Sequence, residues 1–222
     1  MAFWIANLVL LAAAYLLGSI PAGYLAGRLL GGFDIRARGS GSTGATNVLR
    51  TLGWRPALAV LLADVSKGAA AVALARWLYA WLPVSPLVKA PAVHDLQAWA
   101  PWAVCLAGLA VLLGHGRSIW LNFTGGKSAA TGLGVLLAMS WPVGLAAATA
   151  FVVAAAVFRL VSLGSMLAAL TAIVLVCALE QPVPYRLLVV AGGVYVILRH
   201  RANIRRLLAG TEPRLGEPKR RV

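Results

Sequence analysis

The sequence predicts an all-α, polytopic membrane protein with seven transmembrane helices, the N-terminus outside and the C-terminus in the cytoplasm. Of its 222 residues, 61% are hydrophobic and only 12% are charged, and the mean hydropathy is +0.84. A soluble domain of this size has too little interior to bury so much apolar surface. Several uncharged runs also reach the roughly 20 residues that a helix needs to cross the hydrocarbon core. Residues 1–222 are therefore expected to form a single integral membrane domain.

The predicted spans follow the apolar runs along the chain. Their approximate limits are 3–28, 56–82, 96–114, 128–141, 143–158, 160–179 and 183–199, followed by a basic tail at 200–222. The fourth and fifth spans come from one uncharged run that is too long for a single crossing. Trp141 and Pro142 lie near its middle, and proline breaks helices while tryptophan favours the membrane interface. Two short helices there give seven spans, whereas one long tilted helix gives six.

The distribution of cations favours seven spans over six. With seven spans, most of the 20 Lys and Arg residues lie on one side, among them Arg50, Lys127, Arg159 and the basic tail, while Lys89 lies outside. With six spans, the cations after residue 158 would move to the face opposite Lys127. Cytoplasmic loops are enriched in Lys and Arg, so the predicted C-terminus is cytoplasmic. The net charge of +14 fits this topology signal and also fits contact with anionic lipids or phosphorylated ligands.

One predicted span carries two opposite charges. Asp64 and Lys67 are three residues apart and lie on one helical face, so they can neutralise each other inside the membrane. A proton or ion relay is the alternative interpretation. No further acid occurs in a predicted span to continue such a path.

The first cytoplasmic loop has the composition of a phosphate-binding segment. Residues 39–47 read Gly-Ser-Gly-Ser-Thr-Gly-Ala-Thr-Asn, and Arg50 follows. Glycine lets backbone N–H groups turn toward one point, and such nests bind phosphate oxygens. Serine and threonine add donors, Arg50 adds a charge-assisted contact, and a helix beginning near Thr46 would add its dipole. A flexible Gly/Ser linker is the alternative, against which the neighbouring Arg36 and Arg38 argue.

The second cytoplasmic loop, 114–128, offers a glycine pair and a lysine. Gly126-Lys127-Ser128 matches the end of a P-loop, but position 121 is leucine where that motif needs glycine, and no strand precedes it. Gly125 and Gly126 still permit close backbone approach, and Lys127 can act as a point charge for phosphate. His115 at the start of the loop is either a general base or a structural residue.

Two further segments complete one polar membrane face. Ser162 and Ser165 open the sixth predicted span, and His200 and Asn203 lie among the arginines that end the seventh. The four segments together offer places for two phosphate groups. The sequence contains no Ser-His-Asp set, no paired carboxylates and no metal-ligand cluster, so chemistry here would rest on positioning and electrostatics. No metal, organic cofactor or nucleic acid partner is indicated.

These segments resemble, in order and over nearly the whole chain, the motifs of the bacterial acyl-phosphate:glycerol-3-phosphate acyltransferases. The matching stretches are 18–24, 39–50, 114–127, 162–165 and 199–207. The resemblance implies a seven-helix protein of the bacterial inner membrane with a cytoplasmic active site. The implied reaction moves a fatty acyl group from acyl phosphate to the 1-hydroxyl of glycerol 3-phosphate, giving lysophosphatidic acid and phosphate. This is the first acylation step of phospholipid synthesis.

The same resemblance assigns roles to residues. It implies that one group holds the phosphate of the acyl phosphate: Ser40, Gly44, Ala45, Thr46 and Asn47. A second group would hold glycerol 3-phosphate and orient its hydroxyl: Arg50, Lys127, Ser165, His200 and Asn203. Substrate binding is also expected to involve Gly125, Gly126 and Ser162. The partners implied are these two substrates and membrane lipids, and the oligomeric state stays open.

The chain departs from the usual family pattern at three positions. Ser42 stands where the family usually has asparagine, a proline is usual near Ser118, and Ser128 stands where the family usually has glycine. These departures bear on loop rigidity more than on the reaction. The alternatives are a transporter of a phosphorylated anion, which predicts openings on both sides of the membrane, and a lipid-binding scaffold. The choice of acyl phosphate over acyl-CoA or acyl-carrier protein as donor comes from the resemblance alone.

Overall fold

A computed structural model of the protein describes residues 1–84 and 96–216. Lys89 and the last part of the predicted basic tail, 217–222, lie outside the described residues. The regular structure in the described ranges is helical: α1 (Ala2–Ser19), α2 (Ala22–Gly31), α3 (Ala45–Leu52), α4 (Trp54–Trp81), α5 (Leu96–Gly116), α6 (Ala129–Met139), α7 (Trp141–Phe158), α8 (Val161–Ala178), α9 (Val183–Arg199) and α10 (Arg201–Leu208). Three short 3-10 turns cover Ile35–Ala37, Leu82–Val84 and Ile119–Leu121.

Five helical segments are long and apolar enough to cross a membrane. They are Ala2–Gly31, Trp54–Trp81, Ala98–Gly116, Trp141–Phe158 and Val161–Ala178. A sixth arises if α9 and α10, which meet at a bend of 56°, count as one broken span. The remaining apolar helix, α6, has 11 residues and extends over about 16 Å, against a hydrocarbon core of about 30 Å. The predicted number of seven spans therefore does not follow from helix length.

The first predicted span, 3–28, is divided in the structure. Proline lacks a backbone N–H, and α1 ends just before Ile20 and Pro21. At this break the carbonyl of Ile20 accepts two hydrogen bonds of 3.1 Å, one from the N–H of Ala22 and one from Lys67 Nζ of α4. Lys67 also lies 2.8 Å from Asp64 Oδ1, so the predicted ion pair is present and buried. This charged pair joins α4 to the break between α1 and α2, which gives it a structural role.

The long run 128–158 forms two helices rather than one. α6 ends at Met139, and α7 begins at Trp141 with Pro142 in its first turn, where a missing N–H costs no helical hydrogen bond. Arg76 of α4 donates hydrogen bonds to the carbonyls of Ala138 and Met139, at 2.7 and 3.0 Å. These bonds satisfy carbonyl groups that the end of α6 leaves without helical partners.

The short helix α6 begins inside the bundle. A methyl group on Gly68, midway along α4, would overlap the carbonyl of Thr131 in the first turn of α6. A methyl group on Gly134 would likewise overlap the carbonyl of Val65. Glycine at both positions lets the two backbones approach closely. Because α6 starts midway along α4, the loop before it, which carries Lys127, enters the thickness of the bundle.

α5 lies at the centre and packs against α1, α4 and α9. Val104, Ala107 and Val111 on this helix are almost completely buried. At the end of the bundle away from Lys127, aromatic rings of three helices meet edge to face: Phe3, Trp4, Tyr79 and Trp99. Such aromatic groups are typical of a membrane–water interface.

Candidate functional site

The four polar segments predicted from the sequence meet around one cavity of about 200 Å³. Its polar wall consists of Ser40, Ser42, Gly44, Ala45, Thr46, Asn47, Arg50, Asp64, His115, Lys127, Ser128, Ser162, Ser165, His200, Asn203 and Glu212. Every predicted site residue is among them except Gly125 and Gly126, which directly precede Lys127 in the chain. The structure therefore brings together residues that are far apart in the chain. Arg50, for example, donates a hydrogen bond of 3.4 Å to the carbonyl of Pro213, 163 positions later.

Asn47 determines the shape of the first loop. It is 1% exposed, and its side-chain Nδ2 donates to the carbonyls of Ile35, Arg38 and Ser42 at 2.9–3.1 Å. Its Oδ1 accepts a bond of 2.9 Å from the backbone N–H of Ser40. Gly39 lies in the left-handed region at φ +60°, and a side chain there would overlap Asn47 Oδ1. The amide of Asn47 is thus engaged by the loop itself.

The N-terminus of α3 opens onto the cavity. The helix begins at Ala45, directly after Gly44, and both residues line the cavity together with Thr46. A helix leaves its first N–H groups without helical partners, and its dipole adds partial positive charge at that end. This end of α3 is therefore suited to a phosphate group.

The second loop directs Lys127 into the cavity. Arg199 donates to the carbonyls of Gly125 and Gly126 at 3.1 and 2.9 Å, and the N–H of Gly126 donates to the carbonyl of His115 at 3.1 Å. Gly126 also packs so closely on the imidazole of His115 that no side chain would fit there. These contacts favour the structural interpretation of His115. The two glycines contribute to the site by holding the backbone before Lys127.

Lys127 is half-buried, and its surroundings make its ammonium group easier to deprotonate than an exposed lysine. Burial lowers the pKa of its ammonium group to about 8, Glu212 opposes this shift, and the cations Arg206, Arg50 and Arg199 add to it. Its Nζ donates a hydrogen bond of 2.5 Å to Asn203 Oδ1. A bound phosphate would raise this pKa, because an anion nearby favours the ammonium.

His200 is neutral and presents one acceptor nitrogen. Its Nδ1 lies 2.8 Å from the carbonyl of Val196, and since a carbonyl only accepts, this nitrogen carries the proton. Burial lowers the pKa of His200 to about 4, so the ring stays uncharged at neutral pH. Its Nε2 is left as a hydrogen-bond acceptor for a hydroxyl group in the cavity.

Glu212 is a site residue that the sequence analysis missed. It is 7% exposed, and its Oε1 accepts hydrogen bonds from Ser162 at 2.8 Å and Asn203 at 2.6 Å. Its Oε2 accepts from Arg206 at 2.7 Å. Burial alone would raise the pKa of this carboxyl group, but these three donors outweigh burial and hold it below its ordinary value. The available signal was an acidic residue within a strongly basic segment.

The chain after α10 folds back over the site rather than extending as a plain basic tail. The N–H of Leu215 donates to the carbonyl of Arg159 at 2.7 Å, and the Arg159 guanidinium donates to the carbonyl of Leu215 at 3.0 Å through Nε. These bonds fasten residues 211–216 to the corner between α7 and α8. Glu212 is held in the cavity wall as a result.

Local hydrogen bonds anchor the serine side chain at each of the three positions where the chain departs from the usual family pattern. Ser42 Oγ accepts from the N–H of Gly44 at 3.3 Å, and Ser118 Oγ donates to the carbonyl of Ser19 at 2.6 Å. Ser128 adopts φ +62°, which favours glycine, but its Oγ donates to the carbonyl of Leu112 at 2.8 Å. The loops are therefore anchored by serine hydroxyls at these positions.

Away from this polar wall, the cavity becomes apolar. Its inner part is lined mostly by small side chains of α7, α8 and α9, namely Ala147, Ala148, Ala168, Ala169, Ala172, Gly192 and Gly193, together with Leu136, Phe151, Leu188 and Val189. Small residues leave space that a tightly packed interior would fill. The cavity thus joins a cationic, donor-rich wall to an apolar space.

Comparison with known proteins shows which family has this sequence. The sequence model of the family described as glycerol-3-phosphate acyltransferase matches residues 8–210. Glycerol-3-phosphate acyltransferase 2 of Rhizobium johnstonii is 72% identical to the chain, over 98% of this chain and 99% of that protein. Glycerol-3-phosphate acyltransferase of Acaryochloris marina is 56% identical, over 99% of this chain and 97% of that protein.

The fold is similar to two crystal structures of PlsY (YgiH), an integral membrane glycerol 3-phosphate acyltransferase. The glycerol 3-phosphate form has a TM-score of 0.80 at 34% identity and covers 95% of this chain and 96% of that chain. The lysophosphatidic acid form has a TM-score of 0.77 at the same identity and covers 95% of each chain. The present chain is therefore a multi-pass membrane protein that belongs to the glycerol-3-phosphate acyltransferase family.

Proposed function

We propose that this protein transfers a fatty acyl group from acyl phosphate to the 1-hydroxyl of glycerol 3-phosphate at the cytoplasmic face of the bacterial inner membrane. The observation that carries the proposal is one cavity that has both a cationic, donor-rich wall and an apolar interior. An acyl phosphate needs both environments at once, and a small phosphorylated acceptor needs only the first. Family membership and the glycerol 3-phosphate and lysophosphatidic acid forms of the related PlsY structures support this choice.

The donor phosphate is assigned to the N-terminus of α3. Ser40, Gly44, Ala45 and Thr46 line this part of the cavity and offer backbone and hydroxyl donors. Asn47 contributes by holding the loop in shape. The acyl chain then extends into the apolar interior.

Glycerol 3-phosphate is assigned to the opposite, cationic part of the wall. Arg50 and Lys127 bind its phosphate, and Ser165 adds a hydroxyl donor. Asn203 receives the Lys127 ammonium and is itself held by Glu212, so these groups are oriented before substrate arrives. The neutral His200 accepts a hydrogen bond from the acceptor hydroxyl through Nε2.

The reaction needs alignment more than it needs a protein nucleophile. The 1-oxygen of glycerol 3-phosphate forms a bond to the acyl carbonyl carbon, and the bond from that carbon to the phosphate oxygen breaks. Phosphate is already a good leaving group in this mixed anhydride, and its oxygen accepts the proton of the attacking hydroxyl. Nearby cations and helix N–H groups stabilise the charge that develops on the departing phosphate.

The lining of the cavity argues against the transport alternative. The cavity ends at apolar side chains that are almost completely buried, among them Ala147, Ala172 and Leu188. Its polar residues gather at one end. A pathway for a phosphorylated anion would instead need polar groups across the membrane.

We further propose seven spans, formed by the α1–α2 unit, α4, α5, α6, α7, α8 and α9, with the N-terminus outside. Two observations support this. The Lys127 loop, the start of α8 and the end of α9 all border one cavity, which requires α6 and α7 to run away from it and back. The short α6 begins midway along α4, so it needs to cover only the remaining membrane thickness.

Product analysis tests the reaction. Purified protein in lipid vesicles, given acyl phosphate and labelled glycerol 3-phosphate, is expected to form labelled lysophosphatidic acid and release phosphate. Lys127→Ala should lower kcat/KM by about 100-fold or more, since a preorganised cation is lost. Arg201→Ala, at an exposed cation outside the cavity, is the matched control. Transport of glycerol 3-phosphate into sealed vesicles without lipid product would contradict the proposal.

The pH dependence should report Lys127. Lysine is charged below its pKa, so kcat/KM for glycerol 3-phosphate should fall as pH rises through about 8. Lys127→Arg should move this alkaline limb to higher pH because guanidinium remains charged. The measurement is kcat/KM against pH for both proteins. An alkaline limb at the same position in the arginine variant would assign it to another group.

Glu212→Gln should weaken the site and the fold together. The neutral amide loses the charge-assisted bonds from Arg206 and Asn203, at a cost of about 1–3 kcal/mol. We expect a lower melting temperature in detergent and a higher KM for glycerol 3-phosphate. Glu180→Gln, at an exposed position beyond α8, serves as control. If Glu212→Gln had the melting temperature and the KM of the unaltered protein, Glu212 would not orient the site.

Cysteine labelling tests the topology. In a background with both native cysteines replaced by serine, Arg38→Cys and Arg201→Cys are expected to resist a membrane-impermeant maleimide in intact cells. Glu180→Cys should be labelled, and all three should react after lysis. Labelling of Arg201→Cys in intact cells would support six spans instead.

A further inference from the structure

The apolar part of the cavity ends at the same depth on three helices. The deepest lining residues of α7, α8 and α9 are Ala147, Ala172 and Leu188. Each lies 11 residues from the end of its helix at the polar wall, counted from positions 158, 161 and 199. At about 1.5 Å per residue this is a depth of about 16 Å. The hydrocarbon core is about 30 Å thick, so the cavity is as deep as one leaflet.

Larger residues close the cavity one helical turn further. Val143 and Val176 lie four positions beyond Ala147 and Ala172, and residues four apart share a helical face. Both valines are fully buried, belong to the same apolar cluster as the two alanines and do not line the cavity. The change from alanine to valine on both helices fills the space that the alanines leave open.

The third side of this floor is supported by α5. A methyl group on Gly108 would lie 2.7 Å from Leu188 Cδ2 and 3.4 Å from Val135 Cγ1, so both side chains pack at this glycine. Leu188 and Val135 are each 2% exposed. The floor is therefore a packed layer, which resists extension by a chain that is too long.

We propose that this layer is a ruler for the acyl chain: Val143 and Val176 stop its methyl end, and Ala147 and Ala172 leave the space for its last carbons. The inference rests on the proposed acyl transfer, and it adds a limit on chain length. Donors up to the length of a membrane-lipid chain are accepted, and longer ones must bend or leave the head group misplaced. Misplacement lowers turnover because the carbonyl carbon then leaves its position beside the acceptor hydroxyl.

Chain-length profiles of variants test the ruler. The kcat/KM is measured with saturated donors from decanoyl to stearoyl phosphate. Ala172→Leu fills the deep end, and it should lower the ratio for palmitoyl over decanoyl phosphate at least about tenfold. Val176→Ala and Val143→Ala deepen the cavity, and they should raise the ratio for stearoyl over palmitoyl phosphate. Unchanged profiles in folded, active variants would overturn the proposal.

A matched control and a second readout keep the result interpretable. Ala156→Leu adds the same side chain to an exposed position of α7 and should leave the profile unchanged. Leucine at the buried position 172 costs about 1–3 kcal/mol of overpacking, so the two valine variants decide the matter if that protein does not fold.

Failure of the proposed reaction would look different: the unaltered protein would form no product from any of the donors. The ruler is then tested by binding of decyl and hexadecyl phosphate, which do not react. Ala172→Leu should weaken the binding of hexadecyl phosphate but leave the binding of decyl phosphate unchanged. Equal effects on the binding of both compounds would overturn the ruler.

Discussion

The series of hydrogen bonds from Lys127 through Asn203 to Glu212 is the interaction on which the site depends. It joins the loop before α6, the first turn of α10 and the segment after α10, and Glu212 extends it to Ser162 on α8. A buried carboxylate among cations stays ionised here because donors surround it. Without it, several positive charges would face one another in a partly dry cavity. The carboxylate thus lets a cationic wall exist before any substrate phosphate arrives.

Depth is the second constraint on the structure. An active site for a lipid substrate must place polar donors near the head-group level and leave hydrocarbon space directly beneath them. The Gly68 and Gly134 contacts bring α6 against α4 and set the Lys127 loop within the bundle. Arg76 then closes the far end of the short helix. Close backbone packing, rather than a long hydrophobic run, produces this arrangement.

The buried pair Asp64 and Lys67 shows how charge inside a membrane helix can serve architecture. Lys67 pairs with the carboxylate and also donates to the Ile20 carbonyl at the break before Pro21. His115 lies 3.5 Å from the same carboxylate and supports Gly126. The break between α1 and α2 and the loop before Lys127 are therefore joined through one helix, α4.

The sequence by itself determined the membrane class, the helical break near Trp141, and most residues of the polar wall, because apolar run length, proline and Gly/Ser/Lys motifs are local properties. It assigned direct substrate contact to Asn47 and Gly126, which the structure engages in shaping loops. Only the tertiary structure brought Glu212 into the site, divided the first span at Ile20 and aligned Ala147, Ala172 and Leu188 at one depth. Each of these depends on contacts between distant helices, and no pattern within a single segment encodes them.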